Sequence, residues 1–145
     1  MAEAGGGPAA PVVLLGHGSP DERHAVGIAR LAQQVADLLG VPVATAYLQH
    51  NEPGLPDAVA RLRAAGWPRV RVLPLLLSRG GHLADDVPVA VAQAQEWADG
   101  AAIDLLPPMP PDRLSAAVLA AVADRSSGSA DPAAPPRIVL VTAGS

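Results

Sequence analysis

Short apolar runs and amphipathic stretches alternate along the whole chain. Four runs read as strands: Val12 to Gly16 (VVLLG), Pro42 to Leu48 (PVATAYL), Val70 to Leu77 (VRVLPLLL) and Ala102 to Leu106 (AIDLL). The third has apolar residues on both parities, which suits a strand whose two faces are both covered by helices. Between the runs, apolar positions recur with helical spacing. Ile28, Leu31, Ala32, Val35, Leu38 and Leu39 predict one buried face of a helix from about Glu22 to Leu39, with Gly40 ending it. Leu55, Ala58, Val59 and Leu62 do the same for a helix from about Pro56 to Ala65. Val87, Val91, Ala94 and Ala98 mark a third helix that starts near Asp85 or Asp86, where carboxylates favour the helix dipole. Leu114, Val118, Leu119 and Val122 form the expected buried face of a last helix.

Strand followed by helix, repeated with short loops, predicts right-handed crossovers and an α/β fold: a doubly wound, parallel, four-stranded sheet with flanking helices in flavodoxin-like layering. Residues 1–10 are mostly Gly, Ala and Pro and read as a flexible tail before a domain spanning 11–125. Residues 126–136 (SSGSADPAAPP) have linker composition. Residues 137–145 read as the start of a second, truncated repeat, because Ile138 to Ser145 (IVLVTAGS) aligns without gaps on Val12 to Ser19 (VVLLGHGS). In that second copy Ala143 stands where the first has His17. Any buried strand that ends in Gly-Ser would look similar.

Composition narrows the picture further. Half of the 145 residues are hydrophobic, yet there is no Phe, one Tyr and two Trp, so the core must be built from Ala, Val and Leu in close helix–sheet contact. The formal net charge of −4, with no basic run, argues against nucleic acid as a partner. The absence of cysteine removes disulfides, thiolate ligands and thiol nucleophiles. The N-terminus lacks a positively charged segment followed by an apolar one, and no window approaches the roughly 18 apolar residues of a membrane span. The expectation is a cytoplasmic protein without membrane partners.

The chemistry-bearing residues gather after the predicted strands. His17 follows the first strand and His82 the third, and those two strands are neighbours in many doubly wound sheets. Open α/β sheets bind ligands at strand carboxyl ends. Gly80 and Gly81 would let the backbone come close to a bound molecule and present His82 at the rim. Neutral imidazole binds Co, Ni, Fe and Zn and also suits proton transfer near neutral pH. Two histidines alone make an exchangeable metal site, whereas permanent structural sites usually have four protein ligands. Either histidine alone reads equally as a hydrogen-bonded turn residue; their shared position after strands favours the ligand reading.

His50 and Glu52 follow the second strand on the same edge and are further candidates, although the first also reads as a solvated loop residue and the second as a carboxylate approaching a helix. His24 reads as surface. Ser19 and Ser78 are candidate donors to a ligand carboxylate, or turn serines bonded to local backbone. Arg23 and Arg79 are candidate partners for an anion, or solvated. There is no Walker loop, no GxGxxG fingerprint and no GxSxG elbow.

Taken together, VVLLGHGS at Val12 to Ser19, YLQHNEPGL at Tyr47 to Leu55 and VLPLLLSRGGHLADDVP at Val72 to Pro88 resemble the sirohydrochlorin chelatase family, the CbiX/SirB type of class II chelatases. The resemblance covers about residues 11 to 125. It implies a lyase that inserts Co2+ or Fe2+, as substrate metal with no permanent cofactor, into sirohydrochlorin, a tetrapyrrole bearing many carboxylates, within cobalamin or sirohaem synthesis. His17 and His82 match the family's paired active-site histidines, and Ser19, Glu52, Ser78, Arg79, Gly80 and Gly81 would face the substrate. Longer members fuse two such halves, so a second lobe or a second copy is the implied partner. The family often carries an acid directly after the aromatic-leucine pair, where this chain has Gln49. The alternatives are a metal-binding or delivery module, or a half-chelatase without insertion activity.

Overall fold

The structure, a computed structural model, describes residues 9–76, 81–108, 110, 112–113, 115–117 and 119–120, with the backbone alone for 81–84. Strands β1 (Val12–Gly16), β2 (Val43–Tyr47), β3 (Arg69–Pro74) and β4 (Ala102–Leu105) alternate with helices α1 (Glu22–Leu39), α2 (Leu55–Ala64) and α3 (Gly81–Trp97). Every pairing is parallel and the strand order is β2-β1-β3-β4. The expected doubly wound sheet is therefore present, and β1 and β3 are its central neighbours. Leu15 lies opposite Pro74, and Gly16 opposite Tyr47, so three strands deliver their carboxyl ends to one edge.

Strand β1 is buried along its full length because its residues alternate between two apolar clusters. Val13 and Leu15 join Val59 and Leu62 of α2, Val70 and Val72 of β3, and Val87 and Ala94 of α3. Val12 and Leu14 point the other way, into a smaller cluster with Ala32. The two clusters differ in size because α2 and α3 share the first face, whereas α1 lies over β1 and β2 on the second. This corrects the expectation that β3 is covered on both sides. Its Val70 and Val72 are fully buried, but Arg69 is exposed and Arg71 and Leu73 are half-buried. Arg71 is kept there by a bond from Nη2 to the Ala10 carbonyl, 2.7 Å.

Helix α1 also departs from its predicted face. Gly40, in the left-handed conformation, ends it as expected, and Asp21 caps its start by accepting from Arg23 N. Among its residues only Ala32 is buried, while Leu31 and Leu38 are exposed, Leu38 to 85%. The reason is size. With so few aromatic residues the helix sits close to the sheet, and the alanine side of the stripe, not the leucine side, meets β1 and β2.

Two boundaries move at the β3–α3 connection. β3 ends at Pro74, not Leu77. Arg71 and Leu75 donate their N–H groups to β1, so the intervening even positions face β4; Leu106 already bonds to the Val72 carbonyl, one residue past the end of β4. Pro74, which has no N–H, therefore sits where no ladder donor is required. α3 begins at Gly81, earlier than Asp85 or Asp86, and carries Pro88 in its interior. Pro88 removes one hydrogen bond, but Leu83 and Ala84 are strong helix formers and the helix propagates back through them. His82 thus lies in the first helical turn, not on the preceding loop.

The chain divides into two compact units, residues 1–109 and 110–145. In the second, 112–113, 115–117 and 119–120 are helical, and Leu119 is 62% exposed where a buried face was expected. Leu114, Val118 and Val122, the linker 126–136 and the segment 137–145 lie outside the described residues. No helix among the described residues is long and apolar enough to cross a membrane.

Candidate functional site

The carboxyl end of β1 is the best-defined part of the edge. Gly16 closes the strand under the Tyr47 ring and the His24 imidazole; a Cβ placed on it would stand 3.4 Å from Tyr47 Cδ1 and 3.7 Å from His24 Nε2. His17 follows, half-buried, with Nδ1 3.3 Å from the Gly18 carbonyl oxygen. That oxygen can only accept, so the bond requires the proton on Nδ1. In the neutral ring Nε2 then keeps its lone pair, the form in which imidazole binds a metal or takes a proton.

Two loops interlock around this histidine. Leu48 N donates to Gly16 O at 3.0 Å and Gln49 N to His17 O at 2.9 Å, extending the β1–β2 ladder beyond the strands. Gly18 has φ +96°, and an added Cβ would lie 1.7 Å from the Gln49 carbonyl oxygen. Only glycine fits there, both by conformation and by space. Asn51 N donates to Gln49 O at 2.7 Å, a tight turn that places His50 at φ 63°. Its side-chain Oδ1 accepts from Ser19 N at 2.7 Å. The edge therefore brings His17, Ser19, His50 and Glu52 into two bonded loops, with His50 and Glu52 exposed.

Hydroxyl and guanidinium groups near the rim are already engaged. Ser19 Oγ accepts from Asp21 N at 3.1 Å, which leaves its own O–H free to donate. Arg23 does not face the rim as an unpaired cation: its Nη2 and Nε bind Asp21 at 2.6 and 3.0 Å, and its backbone N–H caps onto the same carboxylate. The Arg23 side chain, followed by its backbone N–H, holds the Asp21 carboxyl below its ordinary value, and Asp21 in turn raises Arg23.

His24 corrects the sequence reading. It is half-buried, not on the surface, with its ring 6.2 Å from that of Tyr47, and its Nε2 is inaccessible and without a partner. The signal was present, because His24 precedes Ile28 by four residues and so shares the inward stripe of α1. Asn51 was also missed. Its sign was an asparagine in a turn, a residue that commonly bonds backbone groups.

The second half of the site is defined by backbone. His82 is the second residue of α3, and β3, which precedes that helix, is the direct neighbour of β1. The His82 side chain and residues Ser78, Arg79 and Gly80 lie outside the described residues; Gly81 opens the helix. No group of three or more His, Cys, Asp or Glu side chains that could hold a metal occurs among the described residues. A groove of about 400 Å³ lies between α1 and α2 along the edge of β2, lined by residues that include Ala32, Thr45 and Arg61; none of the strand-end histidines lines it.

The fold and the rim together define a parallel α/β domain that presents an imidazole lone pair at the carboxyl edge of its two central strands. The chain belongs to the CbiX family, whose model matches residues 11–126. Among curated relatives it is 36% identical over 80 residues to the sirohydrochlorin cobaltochelatase of Methanothermobacter thermautotrophicus, covering 53% of this chain and 54% of the relative. It is 33% identical over 91 residues to that of Methanopyrus kandleri, covering 61% and 62%. The matched stretch thus spans little more than half the length of these relatives. The crystal structure of a CbiX protein from Marinobacter aquaeolei VT8 superposes with a TM-score of 0.70 at 31% identity, over 82% of this chain and 98% of the other. The sirohydrochlorin chelatase SirB from Bacillus subtilis subspecies spizizenii, solved in complex with cobalt, shares the fold at a TM-score of 0.69 and 22% identity, over 81% of this chain and 51% of that one.

Proposed function

We propose that this chain is a sirohydrochlorin chelatase domain that inserts a divalent metal, Co2+ or Fe2+, into the macrocycle. The observation that carries the proposal is His17: it follows a central strand, its Nδ1 is committed to Gly18 O, and its Nε2 is free to bind a metal. Cobalt is the metal we favour, because the curated relatives are cobaltochelatases.

In this reading His17 and His82 receive the substrate metal at the edge shared by β1 and β3. The tetrapyrrole lies across the rim, where Ser19 and Glu52 sit on the described loops, Ser78, Arg79 and Gly80 belong to the β3–α3 connection and Gly81 opens α3. Insertion exchanges imidazole for pyrrole nitrogen. Two pyrrole N–H protons leave for each M2+ that enters, so the macrocycle's charge is conserved only if bases accept both. A neutral imidazole is suited to one of them once it has released the metal. Gln49, in the position where relatives often carry an acid, cannot take a proton; exposed His50 and Glu52 beside it are the local substitutes.

The test is insertion of Co2+ into sirohydrochlorin, followed by absorbance, with wild type, His17→Ala and His82→Ala. Each substitution is expected to lower the rate by about a hundredfold or more, the scale of a lost acid–base group. Wild-type rates in both variants would refute the site. A second reading rests on the SirB comparison: the match takes in 81% of this chain and 51% of SirB, so in this reading the rim is completed by a second lobe or a second copy. Sedimentation alongside the assay separates the two, since a strictly monomeric and fully active chain refutes the second.

A further inference from the structure

Asn51 lies within the YLQHNEPGL motif but has no role in the proposed chemistry, yet its side chain reaches from the β2–α2 loop into the β1–α1 loop. Its Oδ1 accepts from Ser19 N at 2.7 Å, and the His17 Nδ1 proton is given to Gly18 O. The Gly18 carbonyl and the Ser19 N–H belong to one peptide unit. A peptide unit is planar and turns as a rigid plate. The bond at one side of the plate therefore sets the direction of the oxygen at the other.

We infer that Asn51 is a positioning residue for His17, acting through the Gly18–Ser19 peptide to hold the imidazole in the tautomer that leaves Nε2 bare. The inference rests on the reading of His17 as a metal ligand only for its functional consequence. Gly18 makes the device necessary. As a glycine at φ +96° it is the softest link in the loop, and without Asn51 its carbonyl could swing away from the ring. On the other side His17 is already fixed by Gln49 N, so Asn51 supplies the second of two fixed points that flank Gly18. Hydrogen bonds linked through one amide also polarise each other, which strengthens the Gly18 oxygen as an acceptor. A hydrogen-bonded partner behind a ligating histidine typically changes metal affinity by about 10- to 100-fold.

The experiment compares wild type, Asn51→Ala and Asn51→Asp, the last retaining an acceptor oxygen. Imidazole ¹⁵N shifts of metal-free protein report the His17 tautomer, and Co2+ titration reports affinity, with His17→Ala as control. The expected result is a single Nδ1–H tautomer in wild type, averaged His17 nitrogen signals in Asn51→Ala with Co2+ affinity lowered about tenfold or more, and recovery of both in Asn51→Asp. Unchanged His17 nitrogen signals in Asn51→Ala, or an Asn51→Asp protein that behaves like Asn51→Ala, would overturn the inference. If His17→Ala keeps wild-type Co2+ affinity, the ligand reading fails by itself, and the nitrogen signals still decide whether Asn51 holds the ring.

Discussion

At the scale of single residues, the loop after β1 has one position with no tolerance. Gly18 combines a left-handed backbone with a Cβ site 1.7 Å from the Gln49 oxygen, so Gly18→Ala must both strain the chain and push the two loops apart. A forced left-handed or clashing residue costs about 1–3 kcal/mol. We expect Gly18→Ala to lower the denaturant midpoint by a corresponding amount and to weaken Co2+ binding; wild-type stability would show that the loops separate freely. His17 and Gly18 were visible in the sequence as a glycine-flanked histidine after an apolar run. The partners that fix them were not, because Asn51 and Gln49 lie more than thirty residues away, and neither the Asn51 Oδ1 bond to Ser19 N nor the Gln49 N bond to His17 O follows from the pattern of apolar and polar positions. His24 was misplaced for a different reason: a titratable residue was assigned to solvent although the helical period placed it inward.

At the scale of elements, the ends of α1 followed capping rules, the β3–α3 boundaries moved, and the buried face of α1 followed packing that the sequence does not state. Asp21 and Gly40 bracket α1 where capping rules put them. The choice between the alanine and leucine sides of α1 depends on how closely the helix approaches the sheet, which becomes visible only once β1 and β2 are in place. The Asp21 cap has a consequence for acid stability. Arg23 depresses the folded-state carboxyl below its ordinary value of 3.8. A depressed carboxyl contributes stability that is present above the unfolded-state pKa and lost as pH falls through the folded one. Asp21→Asn keeps a capping oxygen but no charge. Its melting temperature should therefore lie below that of wild type at neutral pH, with the gap closing as pH drops through the carboxylate range. A gap independent of pH would show that the ion pair with Arg23 contributes nothing, the common outcome for exposed pairs.

At the scale of the whole molecule, the parallel architecture was legible because strands alternate with helices across short loops, and β1 beside β3, one arrangement such sheets allow, is the one present. That adjacency is what unites His17 with the β3–α3 connection, more than sixty residues later. Electrostatics at the same scale leads to a prediction. The chain carries a formal net charge of −4, and sirohydrochlorin, the substrate proposed above, bears many carboxylates. Long-range forces between them are repulsive, so encounter is opposed at distances where salt is the main screen. Attraction must come from local donors at the rim, such as the Ser19 O–H and the loop backbone, which act within a few ångströms and are little affected by ions. The Debye length falls from about 30 Å at 0.01 M to about 8 Å at 0.15 M ionic strength, enough to remove most of the repulsion while leaving the contacts intact. The KM for the tetrapyrrole should therefore fall as salt is raised over that range, with kcat little changed. A KM that rises with salt would instead point to cationic steering of the substrate, and would transfer recognition from the loops beside His17 to cationic side chains such as Arg79.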